Sequence, residues 1–227
     1  PRRGEASSRE AVIHDEDRQS ERDRKKLGDY DFVSGGGGFM PNRGGNWFFP
    51  EAMQAQGRLV TDLMISIPSS YRRFPMDAPE RVEGKRHFEK SLQDKLVELD
   101  ADLVVLDGLL VILDELVHPG SLYPRKSVNI HPGIPRLEAP YERRGACATL
   151  DALYGARGQK VVNWQTMETC PVPPVMKTGA SFHYVDNGID SGEVITDVLN
   201  TNIDPEDTIF ELRWNNFQRS LFPALIQ

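Results

Sequence analysis

Asn129 and His131 stand two residues apart in Ser127-Val128-Asn129-Ile130-His131-Pro132-Gly133. Val128 and Ile130 alternate with them, so a strand that turns its apolar pair to the core sends the amide and the imidazole out from the opposite face. Pro132 and Gly133 then stop the strand. An amide beside an imidazole at a strand's carboxyl end suits chemistry at a carbonyl: the amide donates to a developing oxyanion, and the imidazole moves or holds a proton. Taken alone, the stretch reads first as a polar pair satisfied by neighbouring loops.

A second stretch changes that weighting. Thr178-Gly179-Ala180-Ser181-Phe182-His183-Tyr184-Val185-Asp186-Asn187-Gly188-Ile189-Asp190-Ser191-Gly192-Glu193-Val194-Ile195 has the pattern of a strand, a turn containing Asn-Gly and Asp-Ser-Gly, and another strand. Asp190 falls in the turn, where its carboxylate comes within reach of the His131 imidazole. N-I-H-P followed by T-G-A-S-x-H-Y-V-D-x-G-I-D-S-G-x-V-I resembles the formyltetrahydrofolate-dependent formyltransferases, a family that includes glycinamide ribonucleotide transformylase and methionyl-tRNA formyltransferase. The resemblance covers roughly Asp29 to Gln227 and is strongest from Leu103 to Thr196. It implies an open, mostly parallel Rossmann-like α/β sheet flanked by helices, 10-formyltetrahydrofolate as formyl donor, and Asn129, His131 and Asp190 as the catalytic residues.

The elements that must position these groups are legible in outline. Leu103-Val104-Val105-Leu106 is an apolar β-branched run of the kind buried in a parallel sheet. It opens into Asp107-Gly108-Leu109-Leu110-Val111-Ile112-Leu113, either a core-packing turn or an apolar wall. The resemblance makes Leu110, Val111, Ile112 and Leu113 the wall that holds the donor's pterin ring. It sets the other folate loop at His183, Tyr184, Val185, Asp186 and Gly188. Arg143 and Arg144 precede a short helix near Ala146 to Tyr154, and an arginine pair there offers a clamp for an anionic acceptor group.

Further upstream, Tyr30-Asp31-Phe32-Val33 reads as a strand entering the glycine loop Ser34 to Gly38, which leads through Arg43-Gly44-Gly45 to Asn46, a good helix N-cap. Strand, glycine loop and helix amino terminus together make an anion site, although four glycines also make a simple flexible turn. The related purine enzyme carries Gly-Ser-Asn at its phosphate turn, and Gly44-Gly45-Asn46 is the nearest match here. The missing hydroxyl and the longer loop weaken the match to a phosphate site and leave room for a different anion, such as an amino-acid carboxylate, with Arg43 placed to assist.

Leu59 to Ser66 is a strand candidate, and Phe88, Leu92, Leu96 and Leu99 mark a scaffold helix over residues 85 to 99. Residues 158–177, with Pro171-Val172-Pro173-Pro174-Val175, make an insertion of about twenty residues relative to the purine enzyme, long enough for a wall or lid over the acceptor. The segment Asp204-Pro205-Glu206-Asp207 caps a final amphipathic helix that covers one face of the sheet. Residues 1–28 form a charged extension, read as a solvated helix or partly ordered segment, and 29–227 the catalytic domain.

Composition narrows the classes. With 27 basic against 34 acidic residues the formal charge is -7, so nothing global attracts nucleic acid or an anionic membrane. No apolar run reaches about 18 residues, and Pro1-Arg2-Arg3-Gly4-Glu5 leads into charge, so neither a transmembrane helix nor a signal peptide is expected. Cys147 and Cys170 lack metal-site spacing and read as free thiols in a reducing cytoplasm. No metal is expected, and the partners are a small amine acceptor and folate, on a monomer or weak oligomer. An acidic chain of this length disfavours transfer RNA as acceptor. A decayed binding module has no reason to keep all three polar residues, and a dinucleotide oxidoreductase is disfavoured by the missing G-x-G-x-x-G.

Overall fold

The computed structural model describes residues 10–15, 54–55, 57–136, 138 and 140–226. Two compact units divide the chain, Pro1–Asp102 and Leu103–Gln227. The expected strand at Tyr30 to Val33 and the glycine loop with Arg43, Gly44, Gly45 and Asn46 lie outside the described residues.

In the first unit, strand β1 (Val12–His14) pairs in parallel with β4 (Met64–Ser66), register Ile13 to Ile65. A strand therefore stands where the sequence predicts a solvated helix or loose extension. Between these two come the short hairpin β2 (Gln54–Ala55) and β3 (Arg58–Leu59), turning at Gly57, and one helical turn, α1 (Val60–Leu63). The single strand expected over Leu59 to Ser66 is thus divided. A strand persists only where it has a ladder partner, and β1 reaches only Met64 to Ser66. Helix α2 (Pro79–Glu98) starts six residues before the apolar stripe predicts, because Pro79 serves as its first residue, where a missing N–H costs nothing. It buries Phe88, Leu92 and Leu96, with the Phe88 ring centroid 5.8 Å from that of Tyr71 and the two rings tilted by 48°.

The second unit holds a four-stranded sheet of β5 (Val104–Asp107), β6 (Ser127–His131), β9 (Lys177–Tyr184) and β10 (Val194–Asn202), in the order β10-β9-β6-β5. Only β5 and β6 run parallel; β6 with β9 and β9 with β10 are antiparallel. This corrects the expectation of a mostly parallel sheet: the fold is α/β with a mixed sheet. The cause is connection length. A chain of nineteen residues from β5 to β6 is long enough for a crossover, whereas the Asn-Gly and Asp-Ser-Gly turn returns β10 directly beside β9. Gly179 lets β9 and β10 approach across a register shift, since a Cβ there would lie 2.1 Å from the Val198 carbonyl oxygen.

Helix α3 (Ala148–Ala156) and helix α4 (Ile209–Asn216) enclose a core of Ala152, Leu153, Ala156, Ile203 and Leu212. Between α3 and β9, strands β7 (Gln159–Asn163) and β8 (Glu168–Pro171) form an antiparallel hairpin within the expected insertion. The cap of α4 is not the Asp204 to Asp207 run, which makes the preceding turn, but Thr208, in a reciprocal box with Glu211. After α4 the chain widens into a π-turn (Phe217–Leu221) and ends in α5 (Phe222–Leu225). Asn216 at that junction donates to the Gly179 carbonyl at 3.0 Å and accepts from Thr201 at 2.9 Å, which ties the terminal helices to the sheet.

Candidate functional site

Strand β6 is the floor of the site. Val128 and Ile130 are buried, while Asn129 is half-buried on the opposite face, and the strand's period of two brings the His131 side chain out beside it. The antiparallel neighbour β9 places His183 directly opposite Asn129. Cross-strand partners project to the same face, so register alone delivers a second imidazole to the same spot. The sequence reading assigns His183 to folate binding; the structure sets it in contact with the residues assigned to catalysis. Its signal was available in the alternation of Ser181, His183 and Val185, but the register that aligns it with Asn129 was not.

Asp190 reaches in from the turn between β9 and β10 and gathers four contacts. Its Oδ1 accepts from Asn129 Nδ2 at 3.0 Å and lies 3.3 Å from His183 Nε2. Its Oδ2 accepts from the Gly145 N–H at 2.7 Å and lies 3.2 Å from His131 Nδ1. The backbone of Asp190 is left-handed, φ 44°, a conformation that Asp tolerates better than most residues. Asp186 braces the turn, its Oδ1 accepting from the Gly188 N–H at 3.1 Å and from Ser191 Oγ at 2.7 Å.

The rings have definite partners. His183 Nδ1 faces the Tyr184 carbonyl at 2.8 Å and must donate to it; in the neutral ring the Nε2 lone pair accepts from the Asn129 amide at 3.2 Å, and in the protonated ring Nε2 donates to Asp190 Oδ1 at 3.3 Å. His131 Nε2 donates to the Arg143 carbonyl at 2.8 Å, and Nδ1, 3.2 Å from Asp190 Oδ2, donates to that carboxylate when the ring is protonated. Both nitrogens of His131 are therefore committed, and its Nε2–H points at backbone. In this arrangement Asn129 is the nearer donor, with its two N–H groups shared between Asp190 and His183.

The electrostatics follow from burial against pairing. Burial alone would raise the Asp190 carboxyl, but the hydrogen bond from His183, the charge of His131 and the Gly145 amide outweigh it and hold the group at about 2. Burial pushes His131 down, and the opposing pull of Asp190 and the Arg143 carbonyl is smaller. For His183 burial also acts downward, yet the bond to Asp190 and the Tyr184 carbonyl prevail, and its value rises. An ionised carboxylate that raises the neighbouring His183 leaves that imidazole, rather than the carboxylate itself, as the group suited to exchange a proton with a nucleophile.

The other predicted residues divide. Leu110 and Ile112 are exposed apolar side chains at 60% and 43%, and Val111 is half-buried, on an irregular segment after β5. Leu113 is fully buried and belongs to the core, not to a wall. Tyr184 lies under the Arg125 guanidinium at 4.1 Å, and the Val185 N–H donates to the Ser127 carbonyl at 2.9 Å. Arg143 is only 2% exposed and its guanidinium faces Asp151 of α3, so it is no surface clamp for an anion. Arg144 is half-buried, its Nε donating to the Pro135 carbonyl at 3.0 Å. Asp151 escaped the sequence reading, although a lone carboxylate in Ala148-Thr149-Leu150-Asp151-Ala152-Leu153 signals a buried partner. Among the described residues no acidic, histidine or cysteine cluster is arranged to hold a metal, and no helix is long and apolar enough to cross a membrane.

Comparison with known proteins is consistent with this geometry. Residues 64–223 match the family model of the formyl transferases. PvdF of pyoverdin biosynthesis, a structurally unique N10-formyltetrahydrofolate-dependent formyltransferase, is 59% identical, with a TM-score of 0.82 over 95% of this chain and 77% of that one. Phosphoribosylglycinamide formyltransferase from Streptococcus pneumoniae TIGR4 is 28% identical, over 73% of this chain and 75% of that one, TM-score 0.44. The enzyme of that name from Bacillus halodurans is 24% identical, over 75% and 74% respectively, TM-score 0.47. No curated protein matches this chain.

Proposed function

The chain belongs to the formyl transferase family, and from that premise we propose that it moves a formyl group from 10-formyltetrahydrofolate to the side-chain hydroxylamine nitrogen of N5-hydroxyornithine. The product is N5-formyl-N5-hydroxyornithine, for pyoverdine siderophore biosynthesis. The observation that carries the reading is the convergence of Asn129, His131 and His183 on the two oxygens of Asp190. The choice of acceptor is supported by the likeness to PvdF.

The exposed apolar side chains of Leu110 and Ile112 fit a flat heteroaromatic donor, which offers area for them to cover. The turn from His183 to Gly188 forms the second donor loop. In the reaction the acceptor nitrogen attacks the formyl carbon, and the carbonyl oxygen becomes an oxyanion. An Asn129 N–H donates to it. Protonation of His183 at Nε2 turns that ring toward Asp190 Oδ1 and releases the amide hydrogen it had accepted. The acceptor's proton passes, through water, to the Asp190 and imidazole pair and on to the donor's N10 as the carbon–nitrogen bond breaks, so tetrahydrofolate leaves neutral. His131 keeps Asp190 ionised and oriented.

The test is to incubate the protein with 10-formyltetrahydrofolate and, separately, N5-hydroxyornithine, ornithine and glycinamide ribonucleotide. Release of tetrahydrofolate with a formyl mass gain on N5-hydroxyornithine is the expected outcome. A gain on glycinamide ribonucleotide alone replaces the acceptor, and no gain on any of them overturns the proposal.

A further inference from the structure

We propose that Arg143 is a positioning residue that aims His131 at Asp190, acting through its own backbone carbonyl. The inference rests on the formyl-transfer reading of the Asp190 cluster and assigns a role to a buried charge that the reaction does not touch.

Three observations meet at this residue. Its carbonyl oxygen takes the Nε2–H of His131 at 2.8 Å, and its own N–H donates to the Ile134 carbonyl at 2.9 Å. Its guanidinium turns the other way, inside the protein, with Nε 3.5 Å from Asp151 Oδ2 and Nη1 donating to the Lys177 carbonyl at 3.4 Å. Asp151 is in turn held by Lys160 of β7, whose Nζ reaches its two oxygens at 3.0 and 2.8 Å. A line of charge thus runs from Lys160 at the surface, through α3, to the main chain that holds the imidazole.

The packing leaves no slack along that line. A Cβ on Gly155 would stand 2.9 Å from Arg143 Nη2, so the guanidinium crosses the helix where the glycine allows it. A Cβ on Gly133 would meet His131 Nε2 at 2.8 Å and the Arg143 carbonyl at 2.9 Å. The ring edge and the carbonyl thus share the space beside Gly133, so a shift of the Arg143 main chain is felt at the imidazole. A buried arginine and aspartate are poor value for stability alone, because an apolar pair of similar volume serves as well. What they supply is direction: the buried guanidinium, held 3.5 Å from Asp151, sets where Arg143 and its carbonyl stand, and a ring displaced by about 1 Å costs roughly a hundredfold in rate.

The test uses the full chain carrying Arg143→Met, Arg143→Lys or Asp151→Asn. Two readouts are taken: formyl transfer as a function of pH, and the imidazole nitrogen spectrum by NMR. For Arg143→Met, kcat falls between about tenfold and a hundredfold, KM for the donor stays unchanged, and the His131 Nε2–H resonance broadens or moves. The lysine variant, which keeps the charge without the fork, recovers part of both, and Asp151→Asn reproduces the methionine variant in weaker form. Wild-type kcat in a folded Arg143→Met protein, or lost activity with an unmoved His131 spectrum, overturns the proposal. Should Arg143→Met fail to fold, the lysine variant decides by the same two criteria. If the wild type transfers no formyl group, it is the reaction that is misassigned, and the imidazole spectra still decide whether Arg143 positions the ring.

Discussion

Replacing Asp190 with Asn isolates charge from shape. Asn, like Asp, tolerates the left-handed backbone at this position, so the turn keeps its φ of 44° and no strain is added. The remaining carbonyl oxygen must face the Gly145 N–H, now 2.7 Å from Oδ2. The new NH2 then takes the place of Oδ1 and confronts the Asn129 amide at 3.0 Å, donor against donor. Leaving such a buried group unsatisfied costs about 1–3 kcal/mol, and losing the carboxylate that suits His183 to proton exchange costs about 10²–10⁴ in rate. Because Asp190 supplies the largest of the contributions that raise His183, ahead of the Tyr184 carbonyl and Asp186, that ring's pKa falls as well. The assay follows tetrahydrofolate release by absorbance and the His183 titration by NMR. Turnover within tenfold of wild type, with His183 titrating unchanged, would refute the reasoning.

Asn129→Ala removes the amide that the proposed mechanism gives the oxyanion and raises the kcat barrier by about 2.7–4 kcal/mol, with donor binding, measured by calorimetry, intact. In acid, Asp190 makes its own contribution to stability. Its carboxyl is held at about 2 against an ordinary 3.8, so stabilisation of roughly 2 kcal/mol is complete above the ordinary value and disappears as pH falls through the folded one. Urea unfolding across that window should show a steeper acid loss for the wild type than for Asp190→Asn. Gly133→Ala would place a methyl 2.9 Å from Ala148 Cβ and 2.8 Å from the His131 ring, so a drop of about 1–3 kcal/mol in unfolding free energy is expected, with kcat reduced in the folded fraction.

Much of the site was legible because strand periodicity is a local property. Val128 and Ile130 inward and the polar residues of β6 outward follow from alternation alone, and the turn chemistry around Gly188 and Gly192 announces the hairpin that carries Asp190. The sheet's mixed direction was less legible, since a resemblance conveys a fold in outline while the pairing of β9 depends on non-local hydrogen bonds. The same holds for Val12–His14, whose strand exists through its pairing with Met64–Ser66. Arg143 misled for a related reason. Adjacent arginines look alike in a string of residues, and only the position of α3 decides that one turns inward to Asp151 while the other stays half-buried beside Pro135.

The sequence by itself determined which groups are present and that Asn129 and His131 share one strand face, because residue type and short-range spacing carry that information without knowledge of contacts; that Asp190 joins them was what the resemblance to the formyltransferases implied. Only the tertiary structure decided how the hydrogen bonds are distributed among them: His131 aimed at Asp190 with its far nitrogen closed off by the Arg143 carbonyl, and His183 brought in as a second ring opposite Asn129. The physical reason is that donors and acceptors are allotted by distance in space, and strand register and helix placement set those distances between residues more than fifty positions apart.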